Sequence, residues 1–126
     1  MGLFEKIGGD AAIEAASTLF YEKVLRDPTL RPFFAATDMQ KQTQKLIGFM
    51  AWAFGGPTEY RGRDLGESHA RLVREQGLTD HHFDAVVRHL KDTMVELHIE
   101  PPLVEEALRI VESTRWIVLG KTKKQR

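Results

Sequence analysis

The chain of 126 residues contains no cysteine. That excludes disulfides, thiolate metal sites, a cysteine nucleophile and any thioether-linked cofactor. It also lacks an excess of charge: Lys and Arg together number 18, Asp and Glu 18, and the formal net charge is zero. Nothing electrostatic therefore points to nucleic acid or an anionic membrane as partner. No apolar run approaches the roughly 18 residues that a membrane span needs. The opening MGLFEKIGGD carries charges and no long apolar stretch, so it does not read as a secretory signal. The expectation is a cytoplasmic protein with neither nucleic acid nor membrane as partner. Strand-type alternation is nearly missing, and so are HxxxH and HExxH spacings and any carboxylate cluster.

What the chain does have is helical periodicity. After GGD, with Asp10 as the expected N-cap, Ile13, Ala16, Phe20 and Val24 form a stripe that runs to about Leu25. In DPTLRPFF, Asp27 in a cap position and Pro28 behind it predict a short helical turn. Pro32 is expected to break that turn and present Phe33 and Phe34 as an aromatic pair. From about Asp38 to Phe54, Met39, Gln42, Leu46, Phe49, Met50 and Ala53 share one face, which ends at GGPTEYRGRD. A short segment around His69 follows. The next begins at a Thr79 or Asp80 cap, with Phe83, Val86, Val87, Leu90, Met94 and Leu97 inward. The last starts after Pro101 and Pro102 and buries Val104, Ala107, Leu108 and Val111, and residues 120–126 are expected to fray. The sum is a single all-α domain over residues 1–126, with four substantial helices and two or three short pieces.

Four polar residues stand where this periodicity wants apolar ones: Tyr21, Gln42, Lys45 and His69. Singly, each has an ordinary explanation: a tyrosine at a rim, stems that reach solvent, a hydrogen-bonded core histidine. Together they are harder to place, because buried polar groups without partners cost several kcal/mol. A planar cofactor between the Gln42 helix and the His69 helix would resolve them. His69 would bind a metal on one face, with Tyr21, Gln42 and Lys45 on the other. A zinc site is poorly supported, because the adjacent His81 and His82 point to different sides of a helix. Haem needs one protein ligand, since the porphyrin supplies the other nitrogens. On these residues alone, a satisfied core histidine and a cofactor-free helical interaction module stay open.

The segments LFEKIGG, LFYEKVLRDPTLRPFFAATDMQKQ, FGGPTEYRGRDLGESHARLV and GLTDHHFDAVVRHL carry further marks: the pairs Gly8–Gly9 and Gly55–Gly56, Phe20–Tyr21 and Phe33–Phe34. In these, over nearly its whole length, the chain resembles the group I truncated haemoglobins, small globins built as a two-over-two helical sandwich. The resemblance implies non-covalent haem b (iron protoporphyrin IX) with His69 as proximal iron ligand. Phe34 would pack on the porphyrin, and Phe20, Phe49, Leu65, His82 and Val86 would line the pocket. Lys41 and Arg63 match positions near the propionates, where cations pair with carboxylates. Tyr21 and Gln42 match the distal pair that hydrogen-bonds bound dioxygen.

Two departures stand out. Leu46 replaces a second distal glutamine of many relatives. Lys45 stands where some relatives carry a histidine that closes the sixth iron position. A deprotonated amine ligates iron, so Lys45 is a candidate pH-dependent sixth ligand, and the alternative is that it reaches a propionate or solvent. Trp116 stands near where certain members carry a histidine bonded to a vinyl group, so no covalent haem attachment is expected. The function so implied is reversible binding of dioxygen and of other small ligands, namely nitric oxide, carbon monoxide or cyanide, by a monomer. The alternative is a nitric oxide dioxygenase that makes nitrate with an external reductase.

Overall fold

Two glycines divide the N-terminal run into helices α1 (Leu3–Ile7) and α2 (Gly9–Arg26), because Gly8 takes φ 131° and Gly9 φ 69°. In this structure, a computed structural model, residues 2–58, 60 and 62–120 are described, apart from the side chains of Arg63, Asp64 and Ser68. Asp10 is not the N-cap. Gly8 is, which leaves Asp10 in the first turn of α2, where an acidic residue suits the helix dipole. Ile13, Ala16, Phe20 and Val24 are all buried, as the stripe requires.

The helical turn expected at Pro28 is also corrected. Asp27 caps the C-terminus of α2, and its carboxylate accepts the Thr29 N–H at 2.8 Å, which turns the chain instead of starting a helix. The short 3-10 helix lies at Arg31–Phe34, and Pro32 sits inside its first turn, where its missing N–H costs nothing. Helix α3 (Met39–Phe54) is bounded as expected. The Asp38 carboxylate accepts the N–H groups of Gln40 and Lys41, and Gly55, at φ 85°, closes the far end. The next residue must also be glycine, since a Cβ on Gly56 would collide with the Phe4 ring of α1.

The segment around His69 is not short. Helix α4 (Gly62–Gln76) has 15 residues, which makes five long helices among the described residues where the sequence suggests four. Helix α5 (Asp80–Glu96) starts at the Thr79 cap. It ends with Ile99 N–H donating to the Met94 carbonyl at 3.1 Å and His98 N–H to the Val95 carbonyl at 3.0 Å. His98 occupies the left-handed position of this motif at φ 61°, where a side chain is strained. His98→Gly is expected to stabilise the fold by about 1 kcal/mol, read as a higher urea midpoint at unchanged slope. Pro101 and Pro102 form the first turn of α6 (Pro101–Glu112) and do not precede it; the helix stops before Ser113 and a short α7 (Arg115–Val118) follows. Leu108 is half-buried, while Val104, Ala107 and Val111 are buried.

Helix α2 packs on α3 and on α5, α5 packs on α6, and α6 returns to α3, so two helix pairs lie one over the other. Ile13, Val24, Met50 and Met94 fill the interior, each at most 1% exposed. Helix α4 lies outside this ring and makes its largest helix contact with α7. Among the described residues no helix is long and apolar enough to cross a membrane.

An ionic latch joins α2 to α5, with Asp27 Oδ2 2.7 Å from His89 Nε2 and 3.8 Å from the Arg88 guanidinium. The His89 bond holds the Asp27 carboxyl below its usual range. Its ionised form therefore stabilises the fold above the ordinary carboxylate pKa of about 4, and the contribution is lost as pH falls through the lowered value. The difference in melting temperature between wild type and Asp27→Asn is expected to narrow below about pH 4.

Candidate functional site

Helix α4 turns one face inward through Leu65, which is buried, and His69, one turn further on, which is half-buried. Nδ1 of His69 lies 2.7 Å from the Leu65 carbonyl oxygen. A carbonyl can only accept, so Nδ1 carries the proton and the lone pair is on Nε2. Burial lowers the pKa of the imidazole, against a smaller opposing effect of the Leu65 bond, and this favours the neutral ring. A neutral imidazole whose other nitrogen donates to a carbonyl is the form in which histidine binds a metal.

A second polar group is assembled from α2, the 3-10 helix and α3. Tyr21 is 7% exposed, and its ring lies edge-on to Phe20 at 5.1 Å and to Phe34 at 5.6 Å. The amide nitrogen of Gln42 donates to its hydroxyl at 3.1 Å. Because the hydroxyl accepts this bond, its own proton is left to donate to something else. Burial pushes the Tyr21 pKa up to about 12, with the Gln42 bond opposing, so the phenol remains a donor.

Half-buried apolar side chains packed against the core include Phe34 of the 3-10 helix, Leu46 and Phe49 of α3, Val73 of α4 and Val86 of α5. Phe49 also meets Tyr60 at 6.0 Å and Trp52 at 6.1 Å. His82 is half-buried; its Nδ1 accepts the Thr79 N–H at 3.0 Å, and its ring stands edge-on to Phe33 at 4.8 Å. One residue sits elsewhere than the periodicity suggests. Lys45 is exposed, because the inward strip of α3 passes through Gln42, Leu46 and Phe49 and leaves position 45 at its edge. Lys41 is exposed as well, in the first turn of α3. Arg63 belongs to the first turn of α4, but its side chain lies outside the described residues, as does the basic tail 121–126.

Sequence reasoning names Leu65 only as a lining side chain. Its carbonyl, which sets the His69 tautomer, was signalled by the four-residue spacing alone. The Trp52–Tyr60 contact carried no such signal, since it crosses the loop after α3.

The donor set fits haem. One neutral imidazole with a free Nε2, a phenol kept protonated, an amide and surrounding apolar side chains are what a haem pocket uses, because the porphyrin fills the other iron positions. No group of three or more His, Asp or Glu side chains able to hold a bare metal ion occurs among the described residues.

The bacterial-like globin family profile matches residues 2–119. A group 1 truncated hemoglobin, LI410, of Chlamydomonas moewusii is 46% identical over 98% of this chain and 71% of its own length. The 2/2 hemoglobin of Synechococcus sp. PCC 7002, solved in the cyanomet state with covalently attached heme, superposes with a TM-score of 0.91 at 43% identity, over 96% of this chain and all of that one. Chlamydomonas reinhardtii THB1 is 50% identical with a TM-score of 0.83, over 94% of this chain and 97% of its own. With its helices paired two over two, a family profile that spans residues 2–119 and relatives of this identity and coverage, the chain belongs to the bacterial-like globin family, among the group 1 truncated haemoglobins.

Proposed function

We propose that this protein holds haem b non-covalently through His69 Nε2 and binds dioxygen reversibly on the side of Tyr21 and Gln42. The observation that carries the reading is the Gln42-to-Tyr21 hydrogen bond at 3.1 Å, which occupies the phenol oxygen and frees its proton. Haem supplies the iron at which a diatomic ligand is taken up. The chain supplies everything that shapes that event. Leu65 fixes the tautomer and orientation of His69. Phe34, Phe49, Leu65 and Val86 offer apolar surface to the porphyrin, with Phe20 behind Tyr21 and His82 at the Phe33 edge. Lys41 and Arg63 match positions of the family near the propionates, where their cations would pair with the carboxylates. With dioxygen bound there, the Tyr21 hydroxyl would donate to its partial negative charge, which would slow release and protect against autoxidation. Leu46 adds no polar group beside Gln42, so the distal network consists of the phenol and one amide.

Absorption spectra of the ferric and ferrous protein across pH, followed by dioxygen titration of the ferrous form, test this reading. A colourless protein without a Soret band overturns it. Carbon monoxide and cyanide are expected to bind at the same position, in a monomer that acts in the cytoplasm.

Nitric oxide dioxygenation is the second reading, favoured by the same phenol donor, because a polarised and tightly held dioxygen is reactive towards a radical. It requires an external electron donor. Stopped-flow mixing of the dioxygen-loaded protein with nitric oxide, then rereduction by cellular reductases, separates the two. Rereduction slower than the nitric oxide supply leaves binding alone. Lys45 enters as internal sixth ligand: its exposed amine sits on a flexible stem one residue before Leu46. Lys45→Ala is expected to lose the six-coordinate spectrum at alkaline pH, and a spectrum unchanged from wild type removes lysine from the coordination sphere.

A further inference from the structure

We propose that Arg115 is a positioning residue for the His69 imidazole, acting through α7. The inference rests on His69 as the iron ligand. Arg115 is the first residue of α7, and each of its guanidinium nitrogens is engaged. Nη1 donates to Asp80 Oδ1 at 2.9 Å and towards the Asp80 carbonyl, Nη2 to Asp84 Oδ1 at 2.6 Å and to Glu112, and Nε to Glu112. The guanidinium carbon also lies 4.5 Å above the ring of Phe83, which is buried. One side chain thus ties the start of α7 to the N-terminus of α5 and the end of α6. This is a fork geometry that only arginine provides.

Helix α7 is in turn the main support of α4. The two helices approach closely at Gly66, where a Cβ would stand 3.3 Å from Ile117 Cγ2 and 3.7 Å from the Ile117 carbonyl. Gly66 follows Leu65, whose carbonyl holds the His69 Nδ1 proton. The height and tilt of the α4 turn that presents His69 are therefore set by α7, and the place of α7 is set by Arg115. The carboxylates that hold Arg115 lie on α5 and α6.

The test uses the ferrous holoprotein and reads the iron–imidazole stretching band by resonance Raman, with haem transfer to a scavenger globin beside it. Arg115→Met keeps the apolar stem and removes every donor. It is expected to shift or split the band and to speed haem loss about tenfold, the scale of lost outer-shell support. Ile117→Ala is expected to move the band in the same direction, and Arg115→Lys to restore it only in part. Val104→Ala, a core change in the first turn of α6, is expected to cost stability and leave the band at the wild-type position. An unmoved band in Arg115→Met, or an equal shift in Val104→Ala, overturns the proposal. A band that survives His69→Ala overturns the ligand assignment and this inference together.

Discussion

His69→Ala is expected to yield a helical protein that no longer retains haem. Helix α4 lies outside the α2–α3–α6–α5 ring, so removing one half-buried imidazole leaves the interior of Ile13, Val24, Met50 and Met94 untouched. The iron, by contrast, would lose the protein ligand assigned to it. Outer-shell partners of metal ligands are worth about 10–100-fold in affinity, so loss of the ligand itself is expected to weaken haem retention by about 100-fold or more. Transfer of haem to a scavenger globin measures this. Added imidazole is expected to restore pigment, because the space left by the ring matches it. A variant that kept the wild-type axial spectrum would remove His69 from the proposed role.

Tyr21→Phe is expected to raise the dioxygen dissociation rate by about 10- to 100-fold. A hydrogen bond to a charged group is worth about 1.5–3 kcal/mol, and 1.4 kcal/mol is a factor of ten. Gln42→Leu is expected to do less, since the phenol keeps its own proton when its amide donor goes. Laser photolysis and rapid-mixing replacement of dioxygen by carbon monoxide give both rates. The phenol also governs alkaline stability. Its pKa, raised to about 12 from 10.0 by burial, means that the folded state keeps the proton longer than the unfolded chain does. The stabilisation is complete below pH 10 and fades as pH rises towards about 12, an effect of about 2–3 kcal/mol. Tyr21→Phe is expected to abolish that alkaline decline, and an unchanged alkaline midpoint would count against a protonated buried phenol.

Much of this was legible in the sequence because it is local. The Asp38 cap and the Gly55 stop each act on residues within a few positions of their own end of α3, and the stripe from Ile13 to Val24 needs nothing beyond helical spacing. The bond from His69 to Leu65 is likewise one turn long. Helix α4 was under-read for a physical reason: GRDLGESHARLVREQ has two glycines and few apolar residues, so its own propensity is poor. It forms because α7 packs on it, and the glycine that weakens it alone allows that close contact at Ile117. The Arg115 cluster is illegible for a like reason: Glu112 is a local partner, but Asp80 and Asp84 are brought to Arg115 by folding alone. Pairing Tyr21 with Gln42 spans 21 residues of chain, and periodicity could say only that both face inward.

The sealed methionines have a chemical consequence. Iron that handles dioxygen sheds superoxide and peroxide, and these convert accessible thioethers into sulfoxides and thiols into sulfenic acids. This chain offers no thiol, and Met50 and Met94 are at most 1% exposed at its centre. Among the described residues only Met39, half-buried at the start of α3, is a methionine that is not buried. Among the described residues, oxidative ageing is therefore expected first at that helix end, a few residues before Gln42, and last at the centre.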